Sequence, residues 1–205
     1  MKVSAVINKP KLKLDSTNKS ALISALVIFV GVVVGIVLYS ALNENLKYEL
    51  NDHFISYLST FSQKNKPEMI SGLIFQNIIY FVLMLIFSVC LYGTPAVFMI
   101  SSLKAVGLGI LTTHIYSKFA LKGIEYCLLV LFPGKFILIL AMLLLTQNCY
   151  VNSNSILRVM RNREDRVVDM KKFTLRSAVI FLLLLISSTV DFISAVSFSQ
   201  LFEFA

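Results

Sequence analysis

ALISALVIFVGVVVGIVLYSAL, residues 21–42, decides the fold. It is 22 residues long and carries no charge. A helix rises about 1.5 Å per residue, so this run can cross a hydrocarbon core about 30 Å thick. Lipid tails offer no hydrogen bonds. Each backbone N–H and C=O of a single run must therefore be paired within that run, which requires a helix. Five lysines precede it (Lys2, Lys9, Lys11, Lys13 and Lys19), as in a secretion signal. The run is too long for a signal's apolar region of about 7–15 residues, and no small-residue cleavage pattern follows it. It reads as an uncleaved first span.

Four further runs repeat the pattern, at 70–91, 94–116, 124–145 and 175–198. Together the five occupy most of a 205-residue chain that is 57% apolar, with a mean hydropathy of +0.80. Soluble domains lie nearer 45–50% apolar. The expectation is an all-α, polytopic integral membrane bundle of five transmembrane helices, forming one membrane domain over 1–205.

Nineteen lysines and arginines give a net charge of +8. They flank the runs and form no basic stripe interleaved with aromatics, so nucleic acid is not an expected partner and the lipid bilayer is. Five spans leave six flanking segments on alternating sides. Twelve basic residues then fall on the side of segments 1–20, 92–93 and 146–174, counting Arg176 just inside the next run, and five on the other. The remaining two, Lys104 and Lys135, sit inside runs. The positive-inside rule gives an N-in/C-out orientation. A count of four or six spans would move the C-terminus, and Pro133-Gly134 leaves the fourth span open as continuous, kinked or re-entrant.

Two polar segments stand out. In 43–69, Leu46, Leu50, Phe54, Leu58 and Phe61 recur at roughly helical spacing among Glu44, Glu49, Asp52 and Lys64. This predicts an external amphipathic helix that rests on the bundle or lipid, or else docks a partner. The segment 147–174 reads as a basic cytoplasmic connector whose arginines meet anionic headgroups.

Gly31-x-x-x-Gly35 in the first span lets another helix approach closely, and Gly107 and Gly109 are assigned similar work in the third. Packing within the chain is the first expectation and a homo-oligomer seam the second. Lys104 lies about ten residues from either end of its run, too deep for its stem to reach water. A charge there costs about 2.5–3.5 kcal/mol on insertion scales. Asp191 is the obvious counter-charge for Lys104 or Lys135. The cluster Lys104, Lys135 and Asp191 is expected to be a structural ion pair, with a transport path as the competing reading.

Catalysis finds no footing. His53 and His114 are the only histidines, and there is no H-E-x-x-H, no G-x-S-x-G and no glycine-rich phosphate loop. Cys90, Cys127 and Cys149 show neither a disulfide framework nor a metal-ligand spacing. No catalytic residue, cofactor or metal is assigned.

Short motifs now gain meaning: Val30-Gly31-Val32-Val33-Val34-Gly35; Tyr57-Leu58-Ser59-Thr60-Phe61; Gly93-Thr94-Pro95-Ala96-Val97-Phe98; Leu103-Lys104-Ala105-Val106-Gly107-Leu108-Gly109; Leu131-Phe132-Pro133-Gly134; and Asp191-Phe192-Ile193-Ser194. Their order resembles the stage II sporulation protein M family of endospore-forming bacteria. The sequence departs at Ala105, where the family often has glycine, at Gly134 and Lys135, and at Leu140 in place of a second proline. The resemblance implies a multi-pass protein of the bacterial cytoplasmic membrane at the sporulation septum. It implies a non-enzymatic scaffold for engulfment, working with peptidoglycan hydrolase partners, stage II sporulation proteins D and P. The alternative is a small permease-like transporter subunit that uses the intramembrane lysines and aspartate.

Reporter fusions check the predicted orientation. A tag on the N-terminus should report the cytoplasm and one on the C-terminus the exterior. Two tags in one compartment would refute five alternating spans.

Overall fold

The computed structural model describes residues 12–52, 66–90, 93–162 and 170–198. These residues contain no strand. The helices are α1 (Leu12–Ala41), α2 (residues 44–52 of its course), α3 (Lys66–Val89), α4 (Gly93–Tyr126), α5 (Phe132–Asn162) and α6 (Met170–Phe198). A π-helical turn, Cys127–Leu131, joins α4 to α5. Among the described residues, four helical stretches are long and apolar enough to cross a membrane.

One of the four, Gly93–Met160, has 68 residues. It does not run straight. At Ala120 the backbone leaves helical geometry, with φ 45° and ψ −120°. A non-glycine residue in that left-handed region is strained, at a cost on the order of 1–3 kcal/mol. Gly123 closes the turn, because a Cβ there would sit 2.5 Å from the Ile115 carbonyl oxygen. Beyond it the chain runs back along α4: Ser101 pairs with Thr146 and Thr94 with Ser153. The four stretches are thus five rods.

Cross-helix hydrogen bonds fix their directions. Tyr80 to Ser101 and Lys104 to Asn77 make α3 antiparallel to α4. Asn148 to Ser177 and Lys135 to Asp191 make α5 antiparallel to α6. Contacts of Gly31 with Ala105 and of Gly35 with Gly109 make α1 parallel to α4. The start of α1 and the end of α6 therefore lie at opposite ends of the bundle.

The main core is mostly aliphatic, with Met84, Val97, Leu138, Met142, Leu145 and Leu184 buried in it, and a second, smaller cluster gathers Ile115, Tyr126, Val130 and Ala195. The outside is apolar too: Phe29, Leu103 and Leu182 are 69%, 67% and 58% exposed. Such a surface suits lipid and would aggregate in water.

Sequence reasoning needs three adjustments. Gly31 and Gly35 face α4, but their counterparts are Ala105 and Gly109. Gly107 is corrected: it is exposed and has no heavy atom within 4 Å of a Cβ position. Two positions apart on a helix, 107 and 109 point to different sides, so only one can meet α1. Secondly, much of 147–174 is helical, because α5 continues to Asn162 and α6 starts at Met170. Cys149, Asn152 and Ser153 are buried there. Thirdly, α5 passes through Pro133-Gly134 as a helix, which excludes the re-entrant bend. The π turn just before it routes the Phe132 N–H to the Cys127 carbonyl, one position beyond the α-helical partner. That slack absorbs the donor missing at Pro133.

In α2, Leu46 is exposed and Leu50 half-buried, while Phe54, Leu58 and Phe61 lie outside the described residues. Lys47 sits over the Tyr39 ring and Lys118 over the Tyr48 ring, so the start of α2 rests on the ends of α1 and α4.

A Gly35→Val substitution should therefore wedge α1 from α4. It is expected to cost about 1–3 kcal/mol or more of stability in thermal melts of the detergent-solubilised protein. Gly107→Val, pointing into lipid, should stay within about 0.5 kcal/mol of the parent.

Candidate intramembrane polar site

Lys135 lies two residues after Pro133 on α5, and Asp191 lies in the last two turns of α6. Their side chains meet as an ion pair, Nζ to Oδ2 at 2.7 Å. The aspartate side chain is 10% exposed and the lysine 23%. Gly134 makes the meeting feasible, since any Cβ at 134 would collide with the Asp191 carboxylate. Ser187, one turn earlier on α6, donates to the Gly134 carbonyl at 3.0 Å. A glycine that looks like a helix breaker is here the clearance for a buried acid.

Lys104 is not the partner of Asp191. Its Nζ donates to Asn77 Oδ1 at 2.8 Å and lies 4.7 Å from the centre of the Tyr80 ring. An amide oxygen and an aromatic face both attract a cation without neutralising it. Asn77 in turn donates to Ser188 Oγ at 2.8 Å, and Ser188 donates to the Leu184 carbonyl. One cation on α4 is thus tied through α3 to α6.

The seam continues toward the start of α4. The Tyr80 hydroxyl is 3.5 Å from Ser101 Oγ, which is 2.6 Å from Thr146 Oγ1. Further along, Asn152 donates to the Ser88 carbonyl and Thr94 to Ser153 Oγ. At the opposite end the Tyr39 hydroxyl meets His114 Nδ1 at 3.2 Å and Ser117 Oγ at 2.9 Å. His114 is buried between α1 and α4 rather than at a surface. His53 lies outside the described residues.

The structure therefore brings Lys135 and Asp191 together and sets Lys104 on a different set of partners. Sequence reasoning missed Asn77, Tyr80, Ser101, Thr146 and Ser188. Asn77 carried a usable signal, as one of two adjacent amides, with Gln76, in a mostly apolar run. The serines carried none, because a helical serine can bond back to its own chain. Among the described residues no group of three or more His, Cys, Asp or Glu could hold a metal ion. The arrangement can fix helix order, because Lys135, Lys104, Asn77, Tyr80 and Ser101 each bond to a side chain on another helix.

Lys135→Met or Asp191→Ala alone leaves one unpaired charge in the bundle. Each should lower stability by about 3–5 kcal/mol, and the double variant should recover most of that loss in the same detergent melts. Strict additivity of the two losses would show that the pair does not couple.

The model of the family described as stage II sporulation protein M matches residues 24–194. That span includes the glycine seam of α1 and α4, the Lys104 site and the Lys135–Asp191 pair. No curated protein and no solved structure matches the chain. With the match running from α1 into the last turns of α6, this chain belongs to the stage II sporulation protein M family.

Proposed function

We propose that this sporulation-related membrane protein is a non-enzymatic scaffold that anchors or localises septal peptidoglycan hydrolases during forespore engulfment. The family match over 24–194 carries the reading. The geometry supports it in a further way. The polar groups of the bundle turn inward onto one another and the lipid face is apolar, as suits a rigid anchor.

In this reading the first residues of the chain are cytoplasmic and the outer segment 43–69 faces the partners. Leu46 and Leu50 open that face. The partners are stage II sporulation proteins D and P, and the place of work is the cytoplasmic membrane at the septum. The five spans, with the basic connector on the inside, form one membrane domain.

A second reading, a permease-like subunit, draws on Lys104, which bonds to an amide rather than a carboxylate at mid-bundle. The two readings part on where damage is felt. A scaffold fails when its outer face is altered. A transporter fails when Lys104 or Asp191 is replaced and the fold survives.

Deletion in a sporulating host, followed by septum microscopy, tests the proposal. The expected result is arrest before the mother-cell membrane migrates, with loss of hydrolase recovery when the tagged protein is pulled from detergent extracts. Normal engulfment, or a folded bait that recovers no cell-wall hydrolase, would overturn it.

A further inference from the structure

At the end of the bundle where α1 starts and α5 finishes, a cleft of about 340 Å³ opens between these two helices. Its walls combine Lys19 and Ser20 of α1 with Tyr150, Asn154, Ser155 and Arg158 of α5. Ile23 and Val151 complete it and are 40% and 42% exposed. We propose that this cleft binds one anionic glycerophospholipid, with the phosphodiester between Lys19 and Arg158 and an acyl chain along the apolar groove beyond Ile23.

Helix direction explains why the cations converge. Side chains lean toward the N-terminus of their own helix. On α1 that carries Lys19 toward the polar end of the bundle. On the antiparallel α5 it carries Arg158 the other way, back toward the hydrocarbon. The two approach the same level from opposite sides. A guanidinium presents a fork of donors that matches phosphate oxygens, and an ammonium adds a second point charge. Asn154 and Ser155 supply polar groups for a glycerol headgroup.

The lining also discriminates. Among the described residues no carboxylate lines the cleft, so none of them offers the ammonium of a zwitterionic headgroup a counter-charge. The cleft at the other end differs, because Glu44 lines it beside Lys47 and Lys118. Below the cations the α1 side of the surface turns apolar. Leu22 and Leu26 of α1 are 68% and 56% exposed, adjoining Ile23. Charge at the rim and an apolar track beneath it is the shape of a lipid, not of a soluble anion. The site does not depend on the scaffold reading, since it uses only the bundle and its lipid surroundings.

The test is binding of phosphatidylglycerol and phosphatidylcholine to the full chain in detergent micelles, read by native mass spectrometry and by thermal shift. The parent should retain phosphatidylglycerol about thirty-fold more strongly than phosphatidylcholine, given two cations near the headgroup. The Lys19→Gln/Arg158→Gln variant should lose that preference. Lys171→Gln/Arg176→Gln, at the start of α6, should keep it. Arg158→Lys retains charge without the fork and should give an intermediate preference, which covers the case where the double variant fails to fold. Equal retention of the two lipids, or an unchanged preference in the double variant, would overturn the proposal. So would displacement of the lipid by millimolar inorganic phosphate, which would mark a site for a free anion.

Discussion

A polar group inside this bundle is costly unless another part of the chain satisfies it, because hydrocarbon cannot do so. That constraint organises the molecule. Lys135 finds Asp191, Lys104 finds Asn77 and the Tyr80 ring, and Asn77 finds Ser188. Each link joins different helices, so satisfying the polar groups also sets which helices are neighbours and at what height. Apolar packing alone would not, since lipid tails are as apolar as leucine.

Small residues make this matching feasible. The α1–α4 pair closes over Gly31, Gly35, Ala105 and Gly109, bringing backbones into contact. The α5–α6 pair closes over Gly134, which leaves space for a carboxylate. Glycine is usually costly in a helix. In a membrane the helix is already enforced by the solvent, so that cost is outweighed by the approach it permits.

The same physics explains what could be read in advance. Apolar run length implies helices that span a bilayer, and the all-α class follows from lipid as solvent. Gly31 and Gly35 were legible because four residues place them on one face. Their counterpart was not, because Ala105 is unremarkable in an apolar run while Gly107 attracts the eye. The partner of Asp191 was narrowed to two lysines, but the choice depends on how α5 sits against α6. The inward turn of Asn152 and Ser153 was hidden for a different reason: in a sequence, polar residues beyond a span look like a connector. The pair Pro133-Gly134 signalled a break, and only the preceding π turn shows how the helix survives it.

The Lys135–Asp191 pair spans 56 positions of chain. A ribosome therefore delivers the cation well before its counter-ion exists. During that interval Lys135 on the newly made α5 has no matching acid from α6, whereas the partners of Lys104 on α3 are already made. The ion pair can therefore close only once the last helix has been made, which puts the docking of α6 on α5 after the synthesis of every other span.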